Sequence, residues 1–433
     1  MMERKEPIKI GVIGGGSVFT PELIDLLAKS NHEMPIREVV LMDTNMPRVE
    51  ILRNFAERLV KRSGQDFVVR TSRSYREAIE NADFILIQLR AGNQLGRISD
   101  EKIGLKYRIP FVETVSVCGL GTFLRSISIY EEIADLILRY APHSRVMNFA
   151  NPAGPLTEYL LRLGVPNAVG VCNVPIILAK HLSSLFDVPE TAFYMKTRGL
   201  NHLTVTDAVY LDGKNVLNDA LNRFVPLKFP VPFSENVIHA FPAIFNPYLQ
   251  YYWHAEKIMQ ELLTAPKTRG EEVLDIEHEL LQLYGDLTLN EVPDLLKQRG
   301  GFGYSRVVVR LMLSFYRDDD TIHYINIKND HTLEGIPTNS AVEVPVMVKQ
   351  GQLLPLDTGP LPSYAFPLIR TMAEYYRLLL DGAEQRSVAS LRQAMLLHPL
   401  FNDAETSDMV LNELIQQNRP FLPDDFPQDS RKM

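Results

Sequence analysis

Cysteine is nearly absent from this chain, which has only Cys118 and Cys172 among its 433 residues. Two cysteines are too few for the disulfide framework of a small secreted protein and are typical of a reducing compartment. Residues 1–7 are rich in charge, and the apolar run 8–13 that follows has only the length of a strand, so no signal peptide is predicted. No apolar stretch approaches the roughly 20 residues that a membrane span needs. We therefore expect a cytoplasmic protein with no membrane partner.

The chain also lacks an excess of basic residues. It carries 45 lysines and arginines against 53 aspartates and glutamates, a formal net charge of -8. A protein that binds nucleic acid through the phosphates is normally basic, so this balance argues against a nucleic-acid partner. It does not exclude a small anionic ligand, because a few local arginines are sufficient to bind one.

The first part of the chain alternates between strand-like and helical patterns. Apolar, strand-like runs lie at residues 8–13, 39–43, 67–71, 83–88, 145–149 and 168–172. Amphipathic helical patterns between them include residues 22–29, 47–61 and 126–140. This alternation predicts a parallel sheet with helices on both faces.

The pattern changes after about residue 192. Strands are predicted at 195–198 and 203–210, followed by a hairpin turn at Leu211-Asp212-Gly213-Lys214. Further helices are predicted at 251–263, 271–284 and 305–316, strands at 321–328 and 341–348, and helices at 368–380, 388–397 and 403–416. The Pro- and Asp-rich tail after Asn418 is expected to be loosely ordered.

The first strand runs directly into a glycine turn, Gly14-Gly15-Gly16-Ser17, and then into a helix. Thr20 is the predicted N-cap of this helix and Pro21 its first residue. Glycines let the backbone approach a pyrophosphate, which the helix N-terminus then binds. Asp43 ends the second strand, where a carboxylate bonds the ribose hydroxyls of NAD and repels the 2′-phosphate of NADP.

The sequence therefore predicts an NAD site, although Phe19 replaces the third glycine of the usual fingerprint. The predicted cofactor-binding residues are Gly14, Gly16, Ser17, Val18, Phe19 and Asp43. The alternative is a glycine turn that binds nothing, with Asp43 capping the next helix. The predicted architecture is an α/β fold, with a Rossmann-like NAD-binding domain at residues 1–190 and a mixed α+β domain at residues 191–433 for substrate, metal and oligomer contacts.

Two further segments carry residues suited to metal binding. Cys172-Asn173-Val174-Pro175 follows a predicted strand, and Gly199-Leu200-Asn201-His202 ends another. A thiolate and an imidazole can bind a divalent ion and leave positions open for substrate and water. A small buried thiol and a hydrogen-bonded histidine are the alternative, which these residues alone favour.

A resemblance across nearly the whole chain reverses that preference. The two segments occur in order with several others, at residues 9–19, 97–107, 148–154, 247–252, 267–273, 342–345 and 398–400. Together they resemble glycoside hydrolase family 4, the NAD- and metal-dependent glycosidases that include 6-phospho-α- and 6-phospho-β-glucosidases. The resemblance implies NAD and a divalent metal as cofactors, with Mn²⁺ expected and Co²⁺, Ni²⁺ or Fe²⁺ as alternatives. It also implies a homodimer or homotetramer.

The implied reaction is not the two-carboxylate displacement of most glycosidases. NAD⁺ removes a hydride from carbon 3 of the sugar, a base removes the proton on carbon 2, the leaving group departs, water adds, and the ketone is reduced again. The resemblance makes Cys172 and His202 the metal ligands and Tyr248 the base. The alternative for Tyr248 is an aromatic packing cluster with Tyr251, Tyr252 and Trp253, and Tyr251 is the second choice for the base.

The same resemblance assigns the substrate site. Arg97 and Arg269 match substrate-binding arginines and Asn151 a substrate-binding amide, and guanidinium groups suit a 6-phosphate. For each arginine, a surface charge is the alternative. Asn173 is expected to border the pocket with Glu101. Asn173 stands where α-specific members have an aspartate acid, so the expected substrate is a phosphorylated β-linked disaccharide or glucoside, and the leaving-group acid is unassigned.

One segment departs from the family pattern. Family members have Gln-Glu-Thr followed by a Gly-Pro-Gly-Gly-like turn near the cofactor. Residues 112–121 lack that glutamine and one of the glycines, and this change bears on the choice of sugar more than on the reaction. Cys118 within it is a redox-sensitive addition or an inert buried thiol.

Two other functions fit part of the sequence. A 2-hydroxy-acid dehydrogenase of the lactate/malate type shares the nucleotide fold, but its chemistry has no use for the Cys172 and His202 pair. The second is a nonhydrolytic sensor that binds NAD and a sugar phosphate. The atypical segment 112–121 is compatible with this function.

Overall fold

Six parallel strands form one half of the sheet in the computed structural model, which describes residues 6–224, 233–301, 303–401 and 403–427. These strands are β1 (Ile8–Ile13), β2 (Ile36–Met42), β3 (Val68–Ser72), β4 (Phe84–Ile87), β5 (Arg145–Asn148) and β6 (Ala168–Val171). Their spatial order is β3-β2-β1-β4-β5-β6, which is the dinucleotide-binding order and confirms the predicted Rossmann-like sheet. All six residues of β1 are buried because helices cover both faces.

Seven helices accompany these strands. They are α1 (Thr20–Ser30), α2 (Met46–Arg62), α3 (Tyr75–Ile79), α4 (Asn93–Tyr107), α5 (Ser116–Tyr140), α6 (Ala153–Arg162) and α7 (Val174–Phe186). The predicted start of the third helix at residue 126 was wrong, since α5 begins ten positions earlier, at Ser116. Helices α3, α4, α6 and α7 were not predicted from the sequence.

The second half of the chain adds antiparallel strands to the same sheet. These are β7 (Phe193–Leu200), β8 (Leu203–Leu211), β9 (Lys214–Asn215), β10 (Ile244–Phe245), β11 (Ile322–Lys328), β12 (Ala341–Lys349) and β13 (Gln352–Pro355). Leu211 pairs with Lys214, which confirms the predicted hairpin turn. Strand β11 pairs with β6, so one sheet crosses the predicted domain boundary at 190/191, and the two-domain division stays a prediction.

The second half of the chain also supplies further helices, some of which pack on helices of the parallel half. They are α8 (Leu217–Phe224), α9 (Glu235–Ala240), α10 (Gln250–Trp253), α11 (Ala255–Thr264), α12 (Arg269–Gly285), α13 (Tyr304–Arg317), α14 (Phe366–Glu384), α15 (Val388–Leu397) and α16 (Ala404–Asn418). The single helix predicted at 251–263 is two helices that break at His254. Among the described residues, no helix is sufficiently long and apolar to cross a membrane.

The tail after Asn418 differs from the expectation of loose order. Leu422 and Phe426 are buried, at 7% and 1% exposure, and Arg419 donates to the Phe426 carbonyl at 2.7 Å. Two apolar side chains among the prolines and aspartates are sufficient to fix this segment against the body of the protein. Residues 428–433 lie outside the described part of the chain.

Candidate functional site

The candidate site lies where the parallel strands end. The glycine turn follows β1, Asn151 follows β5, and Cys172 directly follows β6. The carboxyl ends of parallel strands meet at one edge of a sheet, which is where open α/β sheets bind ligands. The fold thus brings these three distant segments to a common edge.

Close packing explains why the turn after β1 consists of glycines. A Cβ on Gly14 would lie 2.5 Å from the Leu89 nitrogen, and one on Gly16 would lie 2.6 Å from Asp43 Oδ2. Gly14 also has a φ of +90°, which favours glycine. The backbone of the turn is therefore held against the sheet, and its outer side faces the edge where a dinucleotide would bind.

Asp43 bonds the glycine turn. Its Oδ2 accepts from the Gly16 N–H at 2.8 Å and its Oδ1 from the Asn45 N–H at 2.9 Å. Asn45, not Asp43, caps α2 by accepting from the Arg48 N–H. Each carboxylate oxygen has a second lone pair, so Asp43 can hold the turn and still accept from a ribose hydroxyl.

The start of α1 differs from the prediction. Phe19 is the N-cap and Thr20 is already helical. The Thr20 hydroxyl donates to the Gly15 carbonyl at 2.8 Å and accepts from the Gln88 side chain at 2.8 Å. Thr20 is not an N-cap, because its hydroxyl closes the glycine turn instead.

The three residues between the glycines and α1 are held by their neighbours. The Ser17 N–H donates to the Gly14 carbonyl at 3.1 Å. The side chains of Val18 and Phe19 are buried in an apolar cluster, and the Val18 carbonyl accepts from the Tyr284 hydroxyl at 2.9 Å. A dinucleotide would therefore meet the backbone of these residues, because the two apolar side chains point into the protein.

Tyr248 contacts His202 and is within electrostatic range of Cys172. The His202 and Tyr248 rings stack with centroids 3.7 Å apart and planes 2° from parallel. Cys172 lies close enough to the Tyr248 phenol for its charge to raise the phenol pKa. The structure stacks Tyr248 on His202 and places Cys172, which is buried, within electrostatic range of the phenol.

The protonation of this group follows from burial. Burial raises the pKa of the Cys172 thiol and lowers that of His202 to about 4. The neutral imidazole is the form that binds a metal ion. Burial also raises the pKa of Tyr248, so this phenol acts as a base only when a cation lies close to it.

The three other aromatic residues of the alternative cluster for Tyr248 have ring contacts of their own. Trp253 packs edge-on against Phe245 at 4.9 Å, and Tyr252 lies 5.9 Å from the His398 ring. Tyr251 lies 6.2 Å from Tyr248 between ring centroids. Each of these three aromatic residues therefore has a different environment from Tyr248, which stacks on His202.

The two predicted substrate arginines are linked through Glu101. Arg97 is 4% exposed and donates to Glu101 Oε1 at 2.8 Å, while the Glu101 carboxylate also accepts from the Gly270 N–H at 2.9 Å. Arg269 is half exposed and bonds Glu272 and the Gln298 carbonyl. Glu101 thus ties Arg97 to the start of α12, where Arg269 lies.

The two predicted amides lie at strand ends. The Asn151 Oδ1 is buried without a hydrogen-bond partner, and an orphaned buried acceptor of this kind marks a place for a ligand donor. Asn173 is 8% exposed and is the N-cap residue of α7.

An arginine-rich cluster was missed in the sequence. Glu113, whose side chain is 17% exposed, bonds Arg90 and lies 3.5 Å from Arg97 Nη1. Burial alone would raise the pKa of Glu113, but Arg90, Arg97 and Arg299 hold it well below its usual range. Glu113 belongs to the atypical segment 112–121, which was the only signal of its role.

Glu277 forms a second ion-pair centre beside the glycine turn. It accepts from Arg48 at 2.9 Å and Arg299 at 2.8 Å, and Arg48 also donates to the Gly16 carbonyl at 2.5 Å. Burial alone would raise the pKa of Glu277, but the two arginines lower it to about 2. Arg48 lies 229 positions from Glu277 and Arg299 lies 22 positions from it, so no helical or strand spacing indicated this centre.

The expected turn within residues 112–121 is instead the start of α5. Gly119 and Gly121 are helical, and a Cβ on them would meet the Thr114 carbonyl at 2.5 Å and Asp100 at 2.3 Å. Cys118 is fully buried, and burial raises its pKa well above the ordinary value. These properties favour the inert thiol over the redox-sensitive one.

The residues around Cys172 and His202 fit a divalent metal ion. Thr114 Oγ1 lies 2.8 Å from His202 Nδ1, so the Nε2 side of the ring is the side for a metal. Within the described ranges, no group of three or more His, Cys, Asp or Glu side chains is placed to hold one ion. A metal here would therefore take a thiolate and an imidazole from the protein and keep positions for substrate oxygens and water.

Comparisons with known proteins match this architecture. The model of the family 4 glycosyl hydrolases matches residues 9–188, and that of their C-terminal domain matches residues 197–401. The chain is 32% identical to 6-phospho-beta-glucosidase BglT of Thermotoga maritima, over 96% of this chain and 99% of that relative. It is also 32% identical to a probable 6-phospho-beta-glucosidase of Bacillus subtilis, over 97% of this chain and 98% of that relative.

Solved structures give the same result. The 6-phospho-beta glucosidase from Thermotoga maritima with manganese, NAD+ and glucose-6-phosphate is 31% identical and superposes with a TM-score of 0.90, over 96% of this chain and 99% of that one. A lactate dehydrogenase from Eimeria maxima is 16% identical, with a TM-score of 0.50, over 92% of this chain and 96% of that one. The second likeness concerns the fold alone and confirms the predicted dehydrogenase-like architecture.

Proposed function

The chain belongs to family 4 of the glycosyl hydrolases, and from that membership we propose that it hydrolyses 6-phospho-β-glucosides with NAD and a divalent metal, Mn²⁺ first. The observation that carries the proposal is the buried group of Cys172, His202 and Tyr248 at the strand edge that also holds the glycine turn. A 2-hydroxy-acid dehydrogenase has no use for a thiol and an imidazole placed in this way.

When bound, NAD supplies reversible hydride transfer at carbon 3, and the metal supplies a positive charge for the carbon 3 oxygen. We propose Gly14, Gly16, Ser17, Val18, Phe19 and Asp43 as the residues that hold NAD. The turn, pulled against the sheet by Asp43, supports this assignment. We propose Cys172 and His202 as the metal ligands, and the fixed Nδ1 side of His202 supports it.

We propose Tyr248 as the base that takes the proton from carbon 2. Stacking on His202 fixes the ring, so the phenol oxygen has a defined position. In its buried place the phenol keeps its proton until a cation is near. Tyr248 therefore becomes a phenolate only when the metal is bound, and only then can it take the proton from carbon 2.

Arg97, Arg269, Asn151 and Asn173 are the proposed substrate-binding residues. Arg97 is held by two carboxylates in a buried position, while Arg269 at the start of α12 is open to solvent. Guanidinium groups form charge-assisted hydrogen bonds with a phosphate, which supports both arginines as partners of the 6-phosphate. The unpartnered Asn151 Oδ1 can accept from a sugar hydroxyl.

A β-linked substrate is supported by Asn173 and by the two 6-phospho-beta-glucosidases at 32% identity. An asparagine side chain cannot protonate a leaving group, so an acid at this position is not available. We leave the leaving-group acid unassigned.

We also propose a homodimer or homotetramer in the cytoplasm. Leu396 on α15 and Met409 on α16 are exposed, at 57% and 49%, on helices that pack together. The two cysteines are free and buried, as expected in a reducing compartment. Sedimentation of the purified protein tests the oligomer, and a monomer at micromolar concentration would contradict it.

The activity is tested with an aryl 6-phospho-β-glucoside, NAD⁺ and Mn²⁺ under reducing conditions. Aglycone release is expected, with much slower release from the α-anomer and from the unphosphorylated glucoside. A substrate deuterated at carbon 2 should react more slowly or exchange with solvent. Binding of NAD and sugar phosphate without release from any of these substrates would favour the nonhydrolytic sensor.

A further inference from the structure

Glu343 is a buried carboxyl group that the proposed reaction does not use. It lies in the Val-Glu-Val-Pro segment of β12, is 0% exposed, and pairs across the sheet with Gly199 of β7 and Asn326 of β11. Residues 342–345 were part of the family resemblance without any assigned role. Glu343 lies next to the strand that leads to His202, and this position suggests a role in the proposed metal site.

The contacts of Glu343 are asymmetric. Its Oε2 accepts from Asn201 Nδ2 at 3.0 Å and from Asn326 Nδ2 at 3.1 Å. Its Oε1 is buried without a hydrogen-bond partner. Burial raises the pKa of Glu343 to about 7, against the opposing effect of the two amides. A buried carboxyl that has only neutral partners is costly to keep as a merely structural element.

Asn201 connects this carboxyl to the proposed metal site. Its side chain bonds the Cys172 thiol as well as Glu343, and it directly precedes His202. A side-chain amide has two N–H groups. Because Glu343 accepts one of them, the Asn201 amide is turned with its donor end towards the sulfur, where an N–H stabilises a thiolate.

We propose that Glu343 is a positioning residue of the metal site, which fixes the Asn201 amide against Cys172 and so holds both protein ligands of the metal ion in place. The inference rests on the metal ligands assigned under the proposed function. Residues behind the ligands of a metal commonly act in this way, by orienting the ligands and adding negative charge near the cation. Glu343 orients Asn201 through its hydrogen bond, and in its ionised form it adds negative charge in the same buried region as the Cys172 sulfur.

The test measures the affinity of the NAD-free protein for Mn²⁺. The electron paramagnetic resonance signal of the free ion reports how much Mn²⁺ is unbound. Glu343→Met, of similar volume, removes both acceptor oxygens and is expected to weaken Mn²⁺ binding about 10- to 100-fold. Glu343→Gln keeps one acceptor for Asn201 and loses the charge, so its affinity should lie between those of Glu343→Met and the wild type.

A matched control is Glu158→Met. Glu158 is 1% exposed, accepts from the Ala341 N–H at 3.1 Å, and lies near Arg162 on α6. Burial raises its pKa to about 7, as it does for Glu343. This control should lose stability but bind Mn²⁺ as the wild type does. The affinity for NAD⁺, measured on every variant, should stay within about twofold and reports whether the fold is intact.

Three results would overturn the inference. The first is a Glu343→Met protein with wild-type Mn²⁺ affinity, or, if that variant does not fold, a Glu343→Gln protein with wild-type affinity. The second is an equal loss of Mn²⁺ binding in Glu158→Met. The third is a wild type that binds no Mn²⁺, which would also remove the metal from the proposed function, whereas the first two leave the proposed function standing.

Discussion

The Tyr248 ring lies on the His202 ring, with centroids 3.7 Å apart and planes 2° from parallel. A proposed base is thus in contact with a proposed metal ligand through ring faces. The stack fixes the phenol without using its oxygen, and it makes the two residues separable by mutation, because a phenylalanine preserves the stack.

Tyr248→Phe tests the base. The variant keeps the stack on His202 and removes the hydroxyl, so kcat should fall about 10²- to 10⁴-fold, the usual contribution of general base catalysis. Mn²⁺ and NAD⁺ affinities should not change. Tyr251→Phe is the control, and a larger loss of kcat in Tyr251→Phe than in Tyr248→Phe would move the base to Tyr251.

Cys172→Ser tests the metal ligand. A serine hydroxyl is a much poorer ligand than a thiolate, so bound Mn²⁺ and activity should both fall at least about tenfold. Metal content after dialysis, measured by mass spectrometry, gives the result directly. Cys118→Ser is the matched control because Cys118 is also buried. Full metal content in Cys172→Ser would refute the assignment.

Gly16→Ala tests the glycine turn. A Cβ at this position would lie 2.6 Å from Asp43 Oδ2, so either the turn or Asp43 must move. Such overpacking costs about 1–3 kcal/mol. Because Asp43 is a proposed ligand of the ribose, its displacement should lower NAD⁺ affinity roughly 5- to 150-fold, the equivalent of that free energy. Gly285→Ala, where a Cβ would meet open space, is the control. Equal NAD⁺ affinity in both variants would mean that the turn does not contact the cofactor.

Glu277→Gln tests the ion-pair centre beside the turn. The pKa of Glu277 is lowered from 4.5 to about 2, so its stabilisation is present above pH 4.5 and is lost as the pH falls towards 2. The shift corresponds to about 3 kcal/mol of unfolding free energy at pH 7. Urea unfolding should show that deficit at pH 7 and a smaller one near pH 3. A deficit that does not depend on pH would contradict this origin.

Local patterns in the sequence were sufficient for the six parallel strands, but not for four of the seven helices that accompany them. Residues 8–13 were predicted as a strand, and β1 has those bounds. The start of α5 was missed because Gly119 and Gly121 look like turn residues. Their role depends on packing against Thr114 and Asp100, and such contacts are not visible in a local pattern.

The candidate site also has features that the sequence predicts and features that only the fold creates. Its glycine turn and the order of its motifs are local features, and these led to the predicted cofactors. The fold brings Arg48 to Glu277 from a distant segment, and it brings Arg90 to Glu113 across 23 positions. No spacing rule connects Arg48 with Glu277 across 229 positions, so these interactions needed the structure.

The pairing of β6 with β11 makes the two halves of the chain depend on each other when they are expressed as separate fragments. Ile325 pairs with Val171 and Asn326 with Gly170, so each half of the chain supplies a neighbour that the other lacks. A protein cut at residue 190 would present two unpaired strand edges, which favour aggregation. The halves should therefore precipitate when expressed separately and recover solubility when expressed together, as fragments that complement each other.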